Sequence, residues 1–191
     1  MEYLIIVSGS YLLGSIPFGF ILTKIFLKKD IRDIGSGNIG ATNALRTGNK
    51  YLGYSTLAFD ISKAIFPVLF VKFNYPEYIY LASLSTFLGH VFPVWLNFKG
   101  GKGVATYVGI LFSIDLIYGF IFIISWLITF LVSKYSSLSS ILASLLLPIY
   151  LLVFENYNLI FFMIMFVLIF YTHRENVKRL KNKEESKTKI Y

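Results

Sequence analysis

The sequence predicts an all-α polytopic membrane protein with seven transmembrane helices, one of them short or tilted, the N-terminus outside and the C-terminus cytoplasmic. Three observations carry that prediction. Apolar residues make up 56% of the 191 and charged residues only 15%, against roughly 25% charged in soluble proteins. Apolar runs repeatedly approach the ~20 residues that a helix needs to cross a ~30 Å hydrocarbon core. The cations are gathered rather than scattered, nearly all of them in polar segments at 28–50, 97–103, 134–140 and 173–189.

The first apolar run, 3–27, has no Lys or Arg ahead of it, is long for the core of a leader and lacks a small-residue cleavage site, so it reads as a retained helix. Further spans are expected at 52–73, 78–97, 116–133, 137–154 and 158–172. The stretch from Val104 to Ile114 is short for a crossing. As one helix, 104–133 would run about 45 Å and bury Asp115. The alternative is two segments turning near Ser113-Ile114-Asp115. Charge decides: seven segments with the N-terminus outside put every one of the 18 cations except Lys63 and Lys72 on the inner side, whereas six segments divide the polar loops between the two sides. Gly14, Gly19, Ala82, Ser83 and Ser85 permit close helix packing, and Pro17, Pro67, Pro93 and Pro148 are tolerable within lipid. Residues 1–180 read as one helical domain, with 181–191 a basic, disordered tail lying on an anionic leaflet. The net charge of +8 is explained by this loop asymmetry rather than by nucleic acid. With no cysteine there is no thiol nucleophile, disulfide or thiolate metal site.

The polar segments hold phosphate-type chemistry. Residues 35–40 spell G-x-G-x-x-G, but no strand precedes them, so the dinucleotide fold is excluded. What remains is a glycine loop exposing N–H groups, with Ser36, Asn38, Thr42 and Asn43 as neutral donors and Arg46 as a planar fork; a capped flexible turn is the competing reading. Lys99-Gly100-Gly101-Lys102-Gly103 lacks the hydroxyl residue that follows the Lys of a P-loop. At the start of a helix it can still cradle an anion, or it can simply be a basic interfacial loop. His90 and His173 are expected at cytoplasmic helix ends, as site residues or as hydrogen-bonded packing residues. Neither has carboxylates or cysteines at metal-ligand spacing, and no metal or cofactor is expected. Asp60 and Lys63, three apart on one helical face, can pair, as a structural tie or as a relay.

Taken together, Gly35-Ser36-Gly37-Asn38-Ile39-Gly40-Ala41-Thr42-Asn43-Ala44-Leu45-Arg46, then Gly89-His90-Val91-Phe92-Pro93-Val94-Trp95 running into Phe98-Lys99-Gly100-Gly101-Lys102-Gly103-Val104-Ala105-Thr106, then His173-Arg174-Glu175-Asn176-Val177-Lys178-Arg179-Leu180 resemble the three signature blocks of the bacterial acyl-phosphate-dependent glycerol-3-phosphate acyltransferases, the PlsY family. Tyr135-Ser136-Ser137-Leu138 resembles a fourth patch. Position 39 is Ile where the family usually has Pro, and position 183 is Lys where it usually has Gly.

The resemblance implies transfer of a fatty acyl group from acyl phosphate to the 1-hydroxyl of sn-glycerol 3-phosphate, giving lysophosphatidic acid and phosphate, in a bacterial plasma (inner) membrane with the active site facing the cytoplasm. It implies these two substrates and the lipid bilayer as partners, with no nucleic acid and a monomeric chain. In this reading Lys102 with the amides of Gly100, Gly101 and Gly103 takes acyl phosphate, assisted by Thr42 and Ser137. Ser36, Arg46, Asn176 and His173 hold glycerol 3-phosphate. Asn38, Asn43, Lys99, Arg174 and Arg179 are further candidates. The hydroxyl proton goes to His90, to His173 or to a substrate phosphate oxygen. A transporter or channel for a small phosphorylated anion is the rival, although its binding groups belong near the midplane.

Overall fold

The computed structural model describes residues 1–154 and 158–188. Glu155, expected on the outer side, and Lys189 of the last basic segment lie outside the described residues. The described residues form ten α-helices: α1 (Glu2–Gly14), α2 (Phe18–Leu27), α3 (Ala41–Leu45), α4 (Lys50–Asn74), α5 (Ile79–Val91), α6 (Val104–Ile114), α7 (Leu116–Ser133), α8 (Ser136–Phe154), α9 (Leu159–Thr172) and α10 (Arg174–Lys181). Among the described residues there is no strand. The chain divides into two compact units, Met1–Ile114 and Asp115–Tyr191, a boundary that falls inside the expected single domain 1–180.

Among the described residues four helical stretches are long and apolar enough to cross a membrane, Glu2–Leu27, Pro76–Leu96, Leu116–Ser133 and Ser136–Phe154, and the pair α9–α10, bent by 60°, passes the same measure only when taken as one broken span. α4 covers the expected 52–73 span but carries Asp60, Lys63 and Lys72, and α6 has only 11 residues. Large side chains such as Phe66, Phe70, Phe73, Val132 and Val153 face outward, as they do when the solvent is lipid.

In the first unit, the expected 3–27 helix is broken at Ser15–Pro17. Pro17 has no N–H to continue the ladder, and the Ile16 carbonyl instead accepts from Phe18 N at 3.1 Å and from Lys63 Nζ at 2.7 Å. α1 packs on α5 and α4 packs on α6. The α1–α5 crossing is a close backbone approach: a Cβ at Gly14 would overlap the Thr86 carbonyl. Asn49 caps α4 by accepting from Tyr51 N at 3.0 Å. α6 stops at Ile114, where Lys72 Nζ donates to the carbonyls of Ser113 (2.9 Å) and Ile114 (2.8 Å), satisfying acceptors that a helix end leaves open. This is the turn expected near Ser113-Ile114-Asp115.

The second unit opens with Asp115 capping α7, its Oδ1 accepting from Ile117 N at 2.7 Å. α8 packs between α7 and α9, with Trp126 Nε1 donating to Ser140 Oγ at 3.1 Å and Tyr118 edge-on to Phe162. α7 ends where Lys134 takes a left-handed conformation (φ 64°).

Candidate active site

Each unit brings two of the four polar segments together. In the first unit the loop 28–50 is organised by one side chain. Asn43 is buried, and its Nδ2 donates to the carbonyls of Ile31 (3.1 Å), Ile34 (2.9 Å) and Asn38 (2.8 Å), while its Oδ1 accepts from Ser36 N at 2.9 Å. Asn38 in turn accepts from Gly40 N at 2.9 Å through its Oδ1, an Asx turn leading into α3. These two residues, expected as anion donors, build the loop instead. Gly35 fits there at φ +55° with no room for a Cβ beside Asn43 Oδ1. Ser36 and Arg46 stand exposed on the scaffold so made, and Thr42 is half-buried on α3. Ile31, Ile39 and Ala44 form a buried cluster with Leu96, which seats this loop beside the second polar segment. Ile39 thus fills a core position.

The second loop leaves α5 at Val91 and reverses through consecutive left-handed residues, Asn97 (φ 50°) and Phe98 (φ 60°). It returns so that Gly100 N donates to Val91 O at 3.0 Å and Gly101 N to His90 O at 3.1 Å. Those two amides, expected to face acyl phosphate, are therefore held by the end of α5. Lys102, half-buried, and Gly103, buried, follow at the entrance to α6. Lys99 is exposed. The backbone of Gly101 lies on the His90 ring, where any Cβ would overlap Nε2.

His90 is 3% exposed, and its Nδ1 lies 3.0 Å from Lys63 Nζ. Lys63 Nζ also pairs with Asp60 Oδ1 at 2.8 Å. An ammonium only donates, so Nδ1 accepts and the ring proton is on Nε2, an assignment made from the hydrogen-bond network.

In the second unit His173 is also buried, but its Nδ1 faces the Ile169 carbonyl at 2.8 Å. A carbonyl only accepts, so here Nδ1 carries a proton, and in the neutral ring Nε2 then carries the lone pair, again an assignment made from the hydrogen-bond network. As neutral rings the two histidines are opposite tautomers. Ser137 Oγ donates to Glu185 Oε1 at 2.8 Å, Asn176 Nδ2 to the same oxygen at 2.6 Å, and Arg179 Nε to Oε2 at 2.7 Å. Burial pushes the Glu185 carboxyl up, yet the three donors from Asn176, Arg179 and Ser137 outweigh it and hold it below its ordinary range. Thr188 N donates to Lys134 O at 2.9 Å, so the segment 181–188, expected to be disordered, is tied to the third polar segment. Arg174 is exposed and lies over the Tyr171 ring, 4.5 Å from its centroid. Sequence reasoning noted Glu185 only as a carboxylate that suitably follows the third motif and gave it no role in the site, because it lies in a lysine-rich tail.

Residues 4–183 match the family model described as glycerol-3-phosphate acyltransferase. The chain is 81% identical to the glycerol-3-phosphate acyltransferase of Pelagibacter ubique (strain HTCC1062), over the full length of both. It is 45% identical to that of Anaplasma marginale (strain Florida), over 97% of this chain and 95% of the relative. The structure is similar to the crystal structure of PlsY, an integral membrane glycerol 3-phosphate acyltransferase, in its glycerol 3-phosphate form, with a TM-score of 0.91 at 35% identity over 98% of this chain and 96% of that one. The lysophosphatidic acid form gives 0.88 at the same identity, over 98% and 95%.

Proposed function

This chain belongs to the glycerol-3-phosphate acyltransferase family and is a multi-pass membrane enzyme that acylates glycerol 3-phosphate in phospholipid synthesis; from that premise we propose that its acyl donor is acyl phosphate and that the 1-hydroxyl is the acceptor. The hydroxyl oxygen attacks the acyl carbonyl of the mixed anhydride, the carbon–oxygen bond to phosphate breaks, and 1-acyl-sn-glycerol 3-phosphate and phosphate leave. The donor is already activated, so no covalent enzyme intermediate is needed. The observation that supports this reading is the pair of anion-binding loops seated side by side in the first unit by Ile31, Ile39, Ala44 and Leu96. One presents Ser36 and Arg46 and the other Lys102 and Gly103, which suits two substrates that each carry phosphate.

In this reading Ser36 and Arg46 hold glycerol 3-phosphate, and Lys102 with the Gly103 amide, assisted by Thr42, neutralises the leaving phosphate. Gly100 and Gly101 shape that loop. His173 and Asn176 are further ligands for glycerol 3-phosphate, and Ser137 for acyl phosphate. Ser137 has given its only hydroxyl proton to Glu185, so donating to a substrate requires exchanging that bond. The hydroxyl proton passes to His173 Nε2, the basic nitrogen of the two histidines; His90 is not the base. The chain crosses the membrane seven times, α4 and α6 included, with the N-terminus outside and the C-terminus in the cytoplasm. The charge distribution supports that topology, and with it a cytoplasm-facing site in the bacterial plasma membrane. The chain acts as a monomer.

The test is acyl transfer to labelled glycerol 3-phosphate in membranes, with acyl phosphate or acyl-CoA as donor. Incorporation from acyl phosphate alone is expected. Equal rates with acyl-CoA overturn the donor assignment, and no incorporation from either overturns the reading.

A further inference from the structure

Lys63 and Asp60 have side chains only 2% and 3% exposed, and no step of acyl transfer uses them. The Lys63 ammonium donates to His90 Nδ1 at 3.0 Å and to Ile16 O at 2.7 Å, and its third neighbour is the Asp60 carboxylate, whose Oδ1 lies 2.8 Å away as a charge contact without hydrogen-bond geometry. Its partners come from α4 itself, from the end of α5 and from the break between α1 and α2. A plain intrahelical ion pair accounts only for the first. On the far side of the His90 ring lies the glycine loop, with Gly101 against Nε2 and the Gly100 and Gly101 amides bonded to the Val91 and His90 carbonyls. A continuous line of contacts therefore runs from Lys63 through His90 to the residue before Lys102.

We propose that Lys63 is a positioning residue for the loop at 100–102: it fixes the rotation of the His90 ring and keeps the ring proton on Nε2, so that an N–H edge rather than a lone pair meets the loop backbone and sets the place of Lys102. The proposal rests on the reading that this loop holds acyl phosphate. Asp60 is required because an unpaired ammonium in a span is costly. A compact ammonium suits two converging acceptors with a carboxylate beside them in a way that a planar guanidinium does not. If the ring turned over, a lone pair or a C–H would face the Gly101 peptide, and the loop would lose its reference point.

The tautomer is measured by nitrogen NMR of the full chain in lipid nanodiscs with labelled histidine. There are only two histidines, and His173→Gln assigns them. The expected result is a neutral His90 protonated on Nε2 beside a neutral His173 protonated on Nδ1; His90 protonated on Nδ1 overturns the proposal. The second arm uses the double variant Asp60→Asn/Lys63→Met, which removes both charges and strands neither. Its KM for acyl phosphate should rise about tenfold with kcat within about twofold of the parent. Unchanged KM, or a loss spread equally over kcat and both substrates' KM values, overturns the positioning role. If the double variant does not fold, the tautomer on the unsubstituted chain decides. Absence of acyl transfer from acyl phosphate by the parent protein would sink the donor assignment while leaving the tautomer measurement standing.

Discussion

The imidazole of His173 is turned so that its Nδ1 donates to the carbonyl of Ile169, 2.8 Å away and one turn back on α9. That bond leaves Nε2 as the basic nitrogen, the reverse of His90, whose Nδ1 accepts from Lys63 at 3.0 Å. His173→Ala should therefore lower kcat by about 10²–10⁴, whereas His90→Ala should act chiefly on the KM for acyl phosphate. Steady-state kinetics in vesicles separate the two. A His173→Ala enzyme with parental kcat would assign the proton to a substrate phosphate oxygen.

Glu185 collects three donors from α8 and α10. Glu185→Gln replaces an acceptor-only carboxylate with an amide that must turn a second N–H toward donors. The expected cost is about 1–3 kcal/mol, read as a lower Tm and faster proteolysis after Lys181.

The same carboxyl predicts a pH dependence with a definite sign. Its folded value lies below the ordinary 4.5. Its contribution is therefore complete above 4.5 and is lost as pH falls through the lower folded value. Proteolysis of the 181–188 segment should accelerate only below that range, and Glu185→Gln should abolish the dependence.

Lys183 sits at φ 60°, where Lys183 N donates to Leu180 O at 3.2 Å and Glu184 N to Arg179 O at 2.8 Å. This is the helix-ending turn that glycine favours, so the departure from the family's usual Gly places a Cβ in a left-handed position. Lys183→Gly should stabilise the protein by about 1 kcal/mol, seen as a higher Tm with kcat unaltered.

Asn43→Asp keeps the acceptor for Ser36 N but loses the donors to Ile31, Ile34 and Asn38. It should harm the enzyme nearly as much as Asn43→Ala, raising the KM for glycerol 3-phosphate about tenfold. An Asn43→Asp enzyme with parental KM would show that donation by Asn43 does not shape the loop.

The apolar helices and the turn before Asp115 were legible in the sequence because bilayer thickness acts on composition alone. The polar segments stood out in the sequence because cations and closely spaced glycines gather in them. The division of labour inside those loops was not. An exposed Asn that meets an anion and a buried Asn that ties three carbonyls look alike in sequence, and only the packing of Ile31, Ile39 and Ala44 on Leu96 puts Asn43 inside. The use of the Gly100 and Gly101 amides by α5 depends on the reversal at Asn97 and Phe98; Asn tolerates left-handed backbone, but Phe has no such preference and gives no sign of the second left-handed step. The histidine tautomers are set by neighbours 27 residues away in one case and four in the other. Spacing signals only the second.

The Lys63 ammonium also bears on how the chain enters the membrane. In the seven-span arrangement proposed above, α4 must be inserted carrying Asp60 and Lys63 in its middle as well as Lys72 near its end, and a charged residue costs about 2.5–3.5 kcal/mol at the centre of a lone helix. Asp60 is on α4 and Ile16 has already emerged when α4 leaves the ribosome, but His90 has not. The charge thus has two of its three partners at insertion and gains the third only when α5 follows. Biogenesis of the first unit is then ordered: α1 and α2 must wait beside the insertion machinery for α4, and the glycine loop takes its shape last.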